Sequence, residues 1–103
     1  MIAGCKGQIG IPLVKALCKE VGANNVVAVD MNDKKVDLPC KQEVLDVSDF
    51  KKYEEIVKEN KIDYIVHLAA ILSALGERFP DRAVKVNVDG AINALNLARD
   101  NNC

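Results

Sequence analysis

Gly4-Cys5-Lys6-Gly7-Gln8-Ile9-Gly10 is the stretch best suited to chemistry. Three glycines stand three apart, behind the short apolar run Met1-Ile2-Ala3 and ahead of an amphipathic pattern. A turn of this kind brings backbone N–H groups close to a pyrophosphate. Gly4 can take the positive φ of a tight turn, Gly7 carries no Cβ to block a ligand, and Gly10 lets the following helix pack closely on the sheet. The helix N-terminus then offers unpaired donors and a partial positive charge to phosphate. The spacing is G-x-x-G-x-x-G rather than G-x-G-x-x-G, and a tight turn without a ligand would use the same residues.

Asp30 stands 20 residues beyond Gly10 and closes the β-branched run Val26-Val27-Ala28-Val29. That separation suits a carboxylate that accepts hydrogen bonds from an adenosine ribose. A carboxylate there repels a 2′-phosphate, so NAD is expected over NADP, although Lys34 and Lys35 follow closely. A solvated aspartate at a strand end is the plainer alternative. The run Asp63-Tyr64-Ile65-Val66-His67-Leu68 leads into Ala69-Ala70. Small residues just past a strand's carboxyl end allow a nucleotide to pass close to the backbone. His67 is the only histidine, and a structural role fits its position better than a catalytic one. Cysteines at 5, 18, 40 and 103 make no C-x-x-C pair, so zinc is not expected and the thiols read as reduced. Cys5 lies near a helix N-terminus, which could lower its pKa, but a small loop residue explains it as well.

The elements that must hold these residues follow from hydrophobic periodicity. Ile9, Leu13, Leu17 and Val21, with Val14 and Cys18 beside them, make a helical face from about Gln8, with Gly22 as its C-terminal cap. Pro12 is tolerable only in the first turn. Val26–Val29 reads as a parallel strand buried on both faces. Met31 to Cys40 is polar and turn-like, and Glu43-Val44-Leu45 is a short strand ending at Asp46-Val47. Ser48 is the expected N-cap of a helix buried through Phe50, Tyr53 and Ile56 or Val57. Residues 63–68 make a further strand, and Ile71 to Phe79 a loop or short turn. Pro80 opens a long helix with an apolar face of Ala83, Val84, Val88, Ala91, Ile92, Leu95 and Ala98. Asn87 and Gly90 interrupt it, each with a packing or hydrogen-bonding reason to be expected.

Composition narrows the function. The chain has 103 residues, 28% charged and 50% hydrophobic, which fits one small globular domain. Its 14 basic and 15 acidic residues are interspersed, giving a net charge of −1 and no face for nucleic acid or an anionic membrane. No apolar run approaches the roughly 20 residues that span a bilayer. The three residues before the glycine turn are short for a strand, and the pattern stops at Cys103 where a next strand would begin. We therefore expect an α/β fold: a Rossmann-like parallel sheet with flanking helices, its first strand clipped and later strands absent. Residues 1–103 would form part of a nucleotide-binding domain. Any targeting segment would lie outside it, leaving an intracellular protein, mitochondrial or cytoplasmic.

Taken together, Gly4 to Gly10, Asp30, Asp46-Val47 and His67-Leu68-Ala69-Ala70 resemble the extended short-chain dehydrogenase/reductase superfamily, in its NAD-dependent epimerase/dehydratase group. The strings Gly7-Gln8-Ile9-Gly10, Val66 to Glu77 and Val86-Asn87-Val88-Asp89-Gly90 resemble more narrowly the short-chain-type L-threonine 3-dehydrogenases. Those enzymes oxidise L-threonine at its 3-hydroxyl to 2-amino-3-oxobutanoate, passing hydride to NAD⁺. The resemblance implies that Gly4, Gly7, Gln8, Ile9 and Gly10 hold the pyrophosphate and Asp30 the ribose, with Met31 and Asn32 beside it. It places Asp46 and Val47 at the adenine, and Leu68, Ala69 and Ala70 on the nicotinamide side. Ser73 would face the substrate, Asn87 would support the site, and the complete enzyme would be a homodimer. The family's chemistry needs a Tyr-x-x-x-Lys pair, in which the lysine lowers the pKa of a tyrosine that moves the hydroxyl proton. Here Val57 and Leu68 stand four residues after Tyr53 and Tyr64, so no catalytic residue is expected in this chain. A sugar-nucleotide epimerase or dehydratase is the alternative, which Ser73-Ala74-Leu75-Gly76-Glu77 argues against. A non-catalytic module that binds NAD or a partner chain is a third possibility.

Overall fold

The structure, a computed structural model, describes residues 1–103. Four parallel strands form one sheet: β1 Ile2–Ala3, β2 Val27–Asp30, β3 Lys41–Val44 and β4 Val66–His67, in the order β3-β2-β1-β4. Ile2 pairs with Ala28 and Val66, Ala3 with Val29 and His67, and Asp30 with Val44. Helix α1 (Gly10–Val21) joins β1 to β2, and α2 (Phe50–Glu59) carries the chain from β3 across to β4 on the far side of β1. Then follow α3 (Ser73–Arg78), α4 (Pro80–Val84) and α5 (Gly90–Asp100). Residues Lys85–Asp89, between the last two, form a π-helical turn with helical backbone angles at both ends, so 80–100 is one helix with a bulge inside it. No helix is long and apolar enough to cross a membrane.

Alternation along the strands divides the core between the two faces. Ala3, Val27 and Val29 face one way, into a core closed by Tyr53, Ile56 and Val57 of α2 and by Ala94 and Leu97 of α5. Ile2, Val26 and Ala28 face the other way and meet Val14 and Cys18 of α1, Cys5 and Leu38. Helices on both faces of a parallel sheet are what uninterrupted β-branched strands require.

Several expectations shift in detail. Helix α1 starts at Gly10, and its buried stripe is Gly10-Val14-Cys18, while Ile9 and Val21 are exposed. Asp49, not Ser48, caps α2: its carboxylate accepts the Lys52 N–H at 3.1 Å. Ser48 is occupied elsewhere, its backbone N–H and its hydroxyl both donating to Asp46 Oδ1 at 3.0 and 2.7 Å. Phe50 is exposed, because the cap residue before it fixes the turn of the helix and leaves Tyr53, Ile56 and Val57 as the inner face. Strand β3 begins at Lys41, two residues earlier than the sequence pattern starts, and β4 pairs only through Val66 and His67. The stretch after Ile71 contains a helix, α3, rather than a loop.

The largest shift concerns the face of the last helix. Val84, Val88, Ile92 and Leu95 are exposed, and the buried stripe is Val86, Gly90, Ala94 and Leu97. Gly90 is the reason. A Cβ there would come within 2.6 Å of Val47 Cγ2, so the helix presses its backbone onto the end of β3. The other expected interruption, Asn87, uses its amide on Ile71: it accepts the Ile71 N–H at 2.7 Å and donates to the Ile71 carbonyl at 2.9 Å. The π-turn sits at this residue, as such bulges commonly do where a side chain has a specific task.

Candidate nucleotide-binding site

The chain leaves β1 in one direction, to β2 and β3, and returns on its other side at β4. Beyond the carboxyl ends of the strands such a reversal opens a crevice, the usual ligand position in open α/β sheets. A recess of about 140 Å³ lies there. Its walls are Gly4 and Gly7 from the turn, Asp30 and Met31 from the end of β2, Leu45 to Val47 from the end of β3, Leu68 to Ile71 from the end of β4, and Val86.

The glycine turn keeps the expected role of Gly4 and departs from expectation at Gly10. Gly4 has φ +84°, and a Cβ on it would lie 2.7 Å from the Ala69 nitrogen, so both conformation and space exclude a side chain. A Cβ on Gly10 would sit 2.4 Å from the Gly4 carbonyl oxygen; the helix start packs on the turn's own backbone rather than on the sheet. Gly7 is exposed, and its nearest neighbour is the Gly4 carbonyl. The N–H groups of Gln8, Ile9 and Gly10 donate to no acceptor within the chain. Three consecutive free donors at the start of a twelve-residue helix make a cradle for an anion.

Asp30 is partly exposed, and its carboxylate is aimed by two backbone groups. Oδ2 accepts the Lys6 N–H and Oδ1 the Asn32 N–H, each at 3.0 Å. Each oxygen keeps a lone pair for a further donor. The Lys6 ammonium also donates to the Asn32 carbonyl, a further link between the turn after β1 and the segment after β2.

Nine of the residues singled out in the sequence line this recess: Gly4, Gly7, Asp30, Met31, Asp46, Val47, Leu68, Ala69 and Ala70. Gln8, Ile9 and Gly10 stand at the entrance of α1, beside it. Asn32 acts on Asp30 through its backbone, and Asn87, itself exposed, holds Ile71 of the recess wall by two hydrogen bonds. Ser73 opens α3 as an exposed residue outside the recess. Leu45, Ile71 and Val86 line the recess without having been singled out. The first two are direct neighbours of Asp46 and Ala70. The signal for Val86 is its place one helical turn before Gly90, on the stripe the glycine marks as buried.

Neither tyrosine reaches the recess. Tyr53 is wholly buried in the core under α2, its hydroxyl without a partner, and burial pushes its pKa well above the ordinary range. Tyr64 is 82% exposed and precedes β4, at the amino-terminal end of the strands, opposite the recess. His67 lies on β4 among Ile65, Ala91, Ala94, Leu95 and Ala98, away from the recess. Both of its ring nitrogens are buried without a partner, and burial holds its pKa below the usual value.

Comparison with known proteins places this architecture. An uncharacterised epimerase/dehydratase of Staphylococcus aureus strain USA300 is 41% identical over 106 residues, which cover 99% of this chain and 33% of that protein. The L-threonine dehydrogenase of Clostridium difficile superposes with a TM-score of 0.92 at 39% identity, over 99% of this chain and 33% of the other. The UDP-glucose 4-epimerase of Thermotoga maritima superposes with a TM-score of 0.84 at 28% identity, over 97% and 33%. The chain thus spans about a third of the length of these relatives. Residues 1–103 match the NAD dependent epimerase/dehydratase family throughout, and the chain belongs to that family.

Proposed function

We propose that residues 1–103 form the NAD-binding part of an oxidoreductase that oxidises L-threonine at its 3-hydroxyl. The observation that carries the cofactor assignment is the Asp30 carboxylate, aimed by the Lys6 and Asn32 amides into the recess that Gly4 and Gly7 open. In this reading the free N–H groups of Gln8, Ile9 and Gly10 hold the pyrophosphate, and Asp30 takes the ribose hydroxyls. Met31 and Asn32 stand beside the ribose, Asp46 and Val47 enclose the adenine, and Leu68 to Ala70 form the wall toward the nicotinamide. The nicotinamide, when bound, supplies the hydride acceptor. This chain's residues bind and orient it, and proton transfer falls to residues outside positions 1–103. Asp30 favours NAD, since its charge opposes a 2′-phosphate. The substrate assignment is supported by the higher identity and TM-score to an L-threonine dehydrogenase than to a sugar-nucleotide epimerase. The Ser73–Glu77 string supports it too.

Calorimetric titration of the chain with NAD and with NADP tests the cofactor assignment. NAD is expected to bind more tightly, and Asp30→Ala to weaken it by roughly 1–3 kcal/mol through loss of charged hydrogen bonds. Unchanged NAD affinity in the variant would remove Asp30 from the site. For the substrate, the protein that carries this segment is expected to form NADH with L-threonine. Turnover of a UDP-sugar in place of threonine would overturn that assignment.

A further inference from the structure

The two carboxylate oxygens of Asp46, on the wall of the recess beyond β3, are not equivalent. Oδ1 accepts the Ser48 backbone N–H at 3.0 Å and the Ser48 hydroxyl at 2.7 Å. Two donors fill the acceptor sites of that oxygen. Both contacts of the side chain fall on Oδ1, which leaves Oδ2 for a ligand. The Ser48 hydroxyl has no helix to cap, because Asp49 caps α2. The next residue, Val47, is held by α5: Asn93 donates to its carbonyl at 2.9 Å, and Gly90 packs against its side chain. The Val47 N–H donates to no acceptor within the chain. Consecutive residues of the recess wall thus keep one free acceptor and one free donor.

We propose that Ser48 is a positioning residue that sets which purine the recess takes. By holding Oδ1 of Asp46 it aims Oδ2 at a base that carries an amino group. The inference rests on the reading above, in which Asp46 and Val47 enclose the adenine of NAD. An ionised carboxylate can only accept. The 6-amino group of adenine donates, and its N1 accepts. Hypoxanthine reverses both: its 6-oxygen accepts, and its N1 carries a proton. Against hypoxanthine, Asp46 Oδ2 would meet an acceptor and the Val47 N–H a donor. Polar groups left unpaired in a site are what make such discrimination strong.

That discrimination depends on a carboxylate that cannot turn. The terminal torsion of an aspartate is broad, so an untethered side chain presents either oxygen at many angles. The Ser48 N–H alone would hold one acceptor site of Oδ1 and leave the other open. The hydroxyl closes it. Ser48 therefore acts through Asp46 and touches no ligand itself.

The test is calorimetric titration of the full chain with NAD and with nicotinamide hypoxanthine dinucleotide, which differs from NAD only in its purine. The native chain is expected to bind NAD more tightly by roughly tenfold or more, as unpaired polar groups require. Ser48→Ala keeps the backbone N–H and the Asp49 cap. It is expected to shrink the preference by roughly 3- to 10-fold, the worth of one hydrogen bond, through weaker NAD binding with little change for the analogue. Ser48→Thr, which keeps the hydroxyl, restores the preference. Ser48→Cys, close to serine in size but a weak donor, gives the same reading should Ser48→Ala not fold. Equal weakening of both nucleotides, or an unchanged preference, would overturn the positioning role and leave the NAD assignment in place. So would a native chain that binds both nucleotides equally. A native chain that binds neither would overturn the NAD assignment, and this inference with it.

Discussion

β2 and β4 have similar sequences and different fates. Val26-Val27-Ala28-Val29 and Tyr64-Ile65-Val66-His67-Leu68 are both β-branched, apolar runs. In the first, every residue is buried; in the second, none is. The difference lies in their neighbours. β2 pairs with β1 on one side and β3 on the other, whereas β4 pairs with β1 alone. Helix α5 repeats the contrast within one element: Leu97 is fully buried against the core and Leu95 is 71% exposed beside β4. Burial along this chain therefore follows how many neighbours an element has, not how apolar it is.

The sharpest test of that contrast compares the two leucines. Leu97→Ala should destabilise the chain by about 2–5 kcal/mol, the range for emptying a packed core site. Leu95→Ala should change stability by about 0.5 kcal/mol or less, as for other exposed positions. Urea unfolding of the two variants measures both. Equal losses would mean that the β4 side is covered in solution, and the comparison would fail.

Two glycines extend the contrast to backbone packing. Gly10→Ala drives a methyl into the Gly4 carbonyl and the Cys5 backbone, which cannot yield without opening the turn. About 1–3 kcal/mol should be lost, and nucleotide binding with it. In α3, a Cβ on Gly76 would meet only Ala83 Cβ, at the ordinary distance of 3.5 Å. Gly76→Ala should stabilise by about 0.5–1 kcal/mol through helix propensity alone. Thermal melts of the pair would show opposite shifts. A loss for both would mean that α3 is packed more tightly than its exposed side chains indicate.

The same contrast explains what was legible in the sequence. The turn, Asp30 and the ends of the strands could be read because their roles depend on local chain geometry: positive φ at Gly4, close approach at Gly10, and a carboxylate at the end of a buried strand. Ser48 and Asp49 offer equally good cap chemistry in the sequence, and only the competing Asp46 acceptor decides between them. The inward face of the last helix is not legible from periodicity, because its apolar residues outnumber its buried ones. Counting apolar residues selected Val84, Val88, Ile92 and Leu95, while contact with Val47 selected Gly90 and, with it, Val86, Ala94 and Leu97. Burial depends on a neighbour, and a single sequence names residues without naming their neighbours.

His67 offers the mildest test, because it sits on the sparsely covered strand and yet has both ring nitrogens buried without a partner. Burial lowers its pKa, so the folded chain binds a proton there less readily than the unfolded chain does. The contribution of neutral His67 is therefore fully present above the unfolded value of about 6.5. It declines as pH falls from there toward the lower folded value. Between pH 7.5 and 5.5, the native chain should lose stability relative to His67→Leu, which has no ring to protonate. Urea midpoints of both proteins at a series of pH values measure this difference. Parallel curves would mean that water reaches the ring, and that the β4–α5 groove is more open than β4's single strand partner already makes it.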